Sequence, residues 1–286
     1  MRSFYSVMGI PSTGFTPHPF TTSWLLPPLV LSILRLLFSI YAFATIFYNW
    51  AWYSTHHDAG EIGRDFSYFT ALTWWGIAFY MLVAGTHTLV YALRGRCWLD
   101  TWPRPLQALH SFFYTTVVTM PFLVTIVYWA VLYDGPWFPK TFEAWTNISR
   151  HGLNSAFALF EVLVPATFMM PWLHIVFGIL VLALYLALAY VTHATEGFYP
   201  YSFLDPADGR GRLVGYVFGI AAGFIVLFCV VQGLIWLRRK CTGGMMKESK
   251  KDIYRGIGFR PRGERAGMTE DVEMMEDRPK RDYGHV

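Results

Sequence analysis

Charge is what this sequence has least of. Asp, Glu, Lys and Arg make up 15% of its 286 residues, against roughly 25% in a soluble domain. That deficit excludes an ordinary water-soluble fold, and no nucleic acid is expected as a partner. Cysteine is scarce as well. Cys97, Cys229 and Cys241 are too scattered for a disulfide framework or a metal knuckle, and the histidines match no known ligand spacing, so neither a metal nor a cofactor is expected. No cleavable leader is expected either, because no small-residue cleavage site follows an apolar core near Arg2, Pro11, Pro17 and Pro19. The first long apolar run is therefore expected to act as an uncleaved anchor.

What fills the chain instead is apolar and aromatic. Hydrophobic residues reach 54%, and the 12 Trp and 17 Tyr gather at the ends of apolar runs, as in the aromatic belts at membrane interfaces. Spanning a hydrocarbon core of roughly 30 Å takes about 20 helical residues. Six runs meet that length, near 29–50, 69–93, 109–133, 152–170, 173–193 and 213–237. The pattern predicts an all-α polytopic membrane bundle of about six helices over 29–237. A cytoplasmic segment, 1–28, precedes it, and a basic, then mixed-charge, disordered tail, 238–286, follows. Membrane lipid is the expected surrounding partner.

Loop charge sets the orientation. Arg94, Arg96 and Arg104 lie between the second and third runs, and Arg238, Arg239 and Lys240 follow the last. Both loops are expected to be cytoplasmic, which an even number of crossings allows, and Arg35 is expected to snorkel to the same face. The sequon Asn147-Ile148-Ser149 then falls on the non-cytoplasmic side, in the endoplasmic reticulum or at the plasma membrane. Gly215, Gly219 and Gly223 share one face of the last run and suit close approach of a packing partner, within the chain or in a second copy.

This orientation sorts the polar groups. His56, His57, His151 and His193, with Asp58, Glu61, Asp65 and Glu196, lie on the non-cytoplasmic side, and His87, His110 and His174 lie near the other. Positions 151, 154, 158 and 161 fall on one helical face, which is polar at His151, Asn154 and Glu161. A carboxylate within a span costs roughly 2.5–3.5 kcal/mol, so Glu161 is expected to face the interior and pair, either as a structural contact or within a functional cavity. At the start of the second run, Ser67 or Thr70 caps the helix, or Thr70 meets a histidine at the same depth, the minimum for a base-activated nucleophile.

Three elements, Phe69-Thr70, His151-Gly152 and Gly197-Phe198-Tyr199-Pro200-Tyr201-Ser202-Phe203-Leu204-Asp205, together resemble the androgen-induced-gene family of six-helix membrane proteins. That family includes threonine-dependent hydrolases of fatty acid esters of hydroxy fatty acids. The run His151-Gly152-Leu153-Asn154-Ser155 is closer to the related rolling stone group. The resemblance implies a lipid-ester hydrolase with Thr70 as nucleophile. It puts Asn154 where the family has its catalytic histidine, and an amide cannot act as general base. His151, one turn earlier, or His193 is expected to take that role, with Asn154 donating to the oxyanion and Glu161 and His193 on the substrate side. The competing expectation is a non-catalytic multi-pass protein, acting in transport, lipid organisation or cell contact, that has lost the histidine.

Overall fold

The computed structural model describes residues 3–10, 18–56, 60–95 and 98–256; His57, Asp58, Arg96 and Cys97 lie outside them. The described residues are helical apart from turns and one isolated bridge, Ser23 to Pro165. The apolar runs become α1 (Pro28–His56), α2 (Phe69–Arg94) and α3 (Arg104–Val127), with α3 prolonged by a π-helical turn, Tyr128–Leu132. Next come α4 (Thr141–Ile148), a second π turn (Ser149–Leu153), α5 (Asn154–Leu163), α6 (His174–Glu196) and α7 (Arg210–Gly256). The first compact unit ends at Thr242. The last helix is described to Gly256, and residues 257–286 lie outside the described ones.

Five helices are long and apolar enough to cross a membrane. The fourth expected run is not among them as a single helix. It is built from α4, the π turn and α5, and it stops at Leu163, since Pro165 has no amide hydrogen with which to continue the ladder. It still runs the length of the bundle, antiparallel to α1. Arg150 pairs with Asp65 beyond the end of α1, Ser149 meets Tyr41 at 2.7 Å, Glu161 meets Arg35, and the Val164 carbonyl accepts from Ser23 just before α1 begins. We call the end where α1 begins proximal and the end where it finishes distal. Six antiparallel passes bring the N-terminal segment and Arg238 of α7 together at the proximal end, where Ser23 and Arg238 bind the Val164 and Val162 carbonyls.

The core centres on α2, whose Trp74, Ile77, Tyr80 and Met81 are fully buried beside Leu31, Ala42 and Ile46 of α1. Close approach depends on Gly85, where a methyl group would lie 2.9 Å from Leu36 Cδ2. A second such approach is Gly178 of α6, whose missing side chain leaves room for the Phe224 ring of α7. The glycine stripe on α7 contributes less: Gly223 lies against Leu123, whereas Gly215 and Gly219 face open space. The N-terminal segment packs too, with Met8, Ile10 and Phe20 buried.

Arg35 does not snorkel. It is fully buried, and it holds Glu161 through two parallel hydrogen bonds of 2.7 Å while donating to Thr88 Oγ1 at 2.7 Å and the Phe20 carbonyl at 2.6 Å. A bidentate guanidinium–carboxylate pair with further hydrogen bonds to the cation is the arrangement that offsets the desolvation of both charges. Glu161→Ala strands the cation, and a loss of roughly 3–5 kcal/mol is expected. A thermal melt of purified protein in detergent reads it, and an unchanged midpoint would remove the pair from the structural framework.

Candidate functional site

At the distal end, α6 stops at Gly197, which takes a left-handed conformation (φ 77°) and returns its amide to the His193 carbonyl. The following aromatic segment folds back over the start of α2 through two short turns, Ser202–Leu204 and Pro206–Asp208, with Asp205 accepting from the Ala207 amide at 2.8 Å. Phe203 and Leu204 bury against Ala189 and anchor the loop. Neither Ser67 nor Thr70 caps α2, because the N-cap position is Tyr68 and the Ser67 hydroxyl instead accepts from Thr192 Oγ1 at 3.0 Å. Thr70 therefore stands in the first turn with its side chain half-buried beneath Tyr201.

Across from it, the second π turn carries Arg150 and His151. Arg150 binds both carboxylate oxygens of Asp65, at 2.6 and 3.1 Å. The His151 ring stacks on Tyr128 with centroids 3.4 Å apart, and its Nδ1 lies 3.2 Å from the Asn147 carbonyl. Donation from Nδ1 to that carbonyl fixes the tautomer and leaves Nε2 as the acceptor. Tyr128 is held in turn, donating to Asn147 Oδ1 at 2.6 Å.

Two cavities meet here. A polar-mouthed pocket of about 310 Å³ is lined by Thr70, Arg150, His151, Pro200 and Tyr201 among others. An apolar chamber of about 260 Å³ runs between α3, α6 and α7, past Leu123, Val127, Ile179, Leu182, Val217 and Ile220. Thr70, Tyr128, Leu132 and Tyr201 line both and form the threshold between them. Burial raises the Tyr201 hydroxyl above its ordinary pKa, with hydrogen bonding to Thr70 and Tyr185 opposing the shift, so it stays protonated near neutrality.

The structure therefore brings Thr70 and His151 to one pocket, and it sets the other expected site residues elsewhere. Asn154 is fully buried between helices, where its Oδ1 accepts from Thr125 Oγ1 at 3.0 Å and the Ser155 amide at 2.6 Å, and it lines neither cavity. Glu161 belongs to Arg35. His193 stacks on Tyr199 with centroids 3.8 Å apart, outside both cavities. Among the described residues no group of three or more His, Cys, Asp or Glu is placed to hold a metal ion. Tyr128, Arg150 and Tyr201 are the pocket residues that sequence reasoning passed over; the signal for Tyr201 was the aromatic density of residues 198–203.

The sequon is folded into this architecture. Asn147 bonds through both ends of its amide, to Tyr128 and to the Glu143 carbonyl at 3.0 Å, and Ser149 is fully buried. Endoglycosidase treatment of protein from eukaryotic membranes is accordingly expected to leave its electrophoretic mobility unchanged. A mobility shift lost in Asn147→Gln would mean that the turn is open when the glycan is added. Comparison of the chain with protein families, with curated proteins and with solved structures gives no match.

Proposed function

We propose that this integral membrane protein is a lipid-ester hydrolase that uses Thr70 as nucleophile and His151 as general base at the distal end of the bundle. The observation that carries the reading is the shared pocket: Thr70 and His151 line one cavity, and Thr70 also lines the apolar chamber beside it. An acyl chain fits the chamber, its ester carbonyl sits at the threshold, and the leaving alcohol lies on the Arg150–His151 side. Thr70 Oγ attacks the carbonyl carbon while its proton passes to His151 Nε2. The tetrahedral intermediate then expels the alcohol, which takes that proton back, and water hydrolyses the acyl-threonine through the same base. The likeness to threonine-dependent membrane hydrolases supports the same nucleophile.

Orientation follows from the same reading. The basic residues after α2 and after α7 favour a cytoplasmic proximal end, with both termini on that side, and they put the pocket at the lumenal or exterior leaflet. An epitope added after Val286 is then digested by protease in sealed microsomes, whereas one inserted beside Trp137 is protected. The reverse pattern would invert the topology.

For the chemistry, Thr70→Ala is expected to abolish hydrolysis of medium-chain p-nitrophenyl esters by the purified protein, and with it labelling by a fluorophosphonate probe. His151→Ala is expected to lower the rate about 100-fold or more, the usual contribution of a general base. Hydrolysis and labelling unaffected by Thr70→Ala, or absent from the wild type, would leave the non-catalytic multi-pass reading in its place.

A further inference from the structure

Ester cleavage by a hydroxyl nucleophile puts negative charge on the carbonyl oxygen, and a fixed hydrogen-bond donor at that point is commonly the largest single electrostatic contribution to the rate. Asn154 cannot supply it, because the residue is fully buried and lines neither cavity, which keeps its Nδ2 away from the threshold. The threshold between the two cavities offers few other donors. Of its four residues, Leu132 has none, and Thr70 is the nucleophile. The Tyr128 hydroxyl is spent on Asn147 Oδ1 at 2.6 Å. On the chamber side, Tyr185 donates to the Ser67 carbonyl at 3.0 Å and does not line the pocket that holds His151.

We infer that Tyr201 is the residue that donates a hydrogen bond to the ester carbonyl as Thr70 attacks it, an inference that rests on the hydrolase reading above. Its side chain lines both cavities together with Thr70, so an ester carbonyl held at that threshold for attack by Thr70 Oγ lies beside the Tyr201 hydroxyl. The ring is held for the task. It stacks on Phe203 with centroids 5.3 Å apart and nearly parallel planes, and it meets Tyr68 edge-on at 6.0 Å. Phe203 stacks in turn on Tyr216 of α7 at 4.8 Å. A donor fixed before the substrate arrives needs no reorganisation in the transition state, and this is what makes such a bond count towards rate rather than binding. The phenol keeps its proton throughout. The O–H···O bond strengthens as charge grows on the carbonyl oxygen and relaxes when the alcohol leaves.

The test is Tyr201→Phe in the full-length protein, assayed with medium-chain p-nitrophenyl esters beside wild type and Thr70→Ala. The phenylalanine ring preserves the stack on Phe203, so the thermal midpoint and KM should hold while kcat falls about 100-fold, the scale of losing one oxyanion donor. Fluorophosphonate labelling should slow in step, because the probe's phosphoryl oxygen needs the same donor. Wild-type kcat in Tyr201→Phe, with hydrolysis still abolished in Thr70→Ala, would overturn the role of Tyr201 and leave the hydrolase standing. A fall in kcat matched by a rise in KM and a lower midpoint would assign Tyr201 to packing alone and overturn its role equally. A wild type without Thr70-dependent hydrolysis removes both readings together.

Discussion

The buried pair of Arg35 and Glu161 is the constraint on which the rest of the bundle depends. Two full charges are held fully buried in the bundle, and each is tolerable only while the other stays within reach. Through its four hydrogen bonds Arg35 ties α1 to α5, to Thr88 of α2 and to the Phe20 carbonyl of the N-terminal segment. A shift of α5 by one turn would break both bonds to Glu161, so the pair sets the register of the fourth pass. His151 stands ten residues before Glu161 on that pass, about 15 Å along the axis. The same ion pair thereby fixes the height at which the histidine meets the start of α2.

A second constraint follows from where α5 ends. The chain between Leu163 and Leu173 is not helical, and inside a membrane every backbone group there must find a partner within the protein. Side chains from distant segments supply them. Ser23 and Trp24 donate to the carbonyls of Val164 and Leu163 at 2.6 Å each, Gln232 bonds both the amide and the carbonyl of Met170 at 2.8 and 2.7 Å, and Arg238 takes the carbonyls of Val162 and Thr167. The first segment of the chain and the last helix thus close on the same stretch, and the proximal end becomes the rigid end of the molecule. Arg238 counts in sequence as a residue of the basic flank after the last span, yet in the fold it is a buried backbone ligand.

What could be read in the sequence was what depends on local composition. Hydropathy located the five long apolar helices, and the cost of a carboxylate in hydrocarbon required Glu161 to have a partner. Which partner was not legible, because Arg35 is 126 positions away and its place near the start of a span looks the same whether it snorkels or pairs. The same blindness affected Asn154. Helical periodicity put it on one face with His151, but the π turn between them inserts an extra residue and rotates that face, so the histidine reaches the pocket while the asparagine turns to Thr125. Equal spacing made the glycines of α7 look like the packing seam, whereas the tight contacts fall at Gly85 and Gly178, where an arginine-bearing helix and a phenylalanine ring come close.

These differences divide the bundle into two halves with different physical duties. In α2 half of the most apolar window is buried, against 17% in each of α6 and α7. The proposed hydrolase asks two things of its site: a packed frame that fixes Thr70 against His151, and room for an acyl chain. The pocket lies on the seam between the two halves. Thr70 comes from the first turn of the most buried helix and His151 from a turn locked by Asp65 and Tyr128, whereas the chamber is bounded by α6 and α7, whose outer faces meet lipid directly. The loop carrying Tyr201 bridges the halves, with its stack running from Tyr68 through Phe203 to Tyr216. Because those contacts join the start of α2 to α7, the position of Tyr201 at the threshold depends on both halves at once.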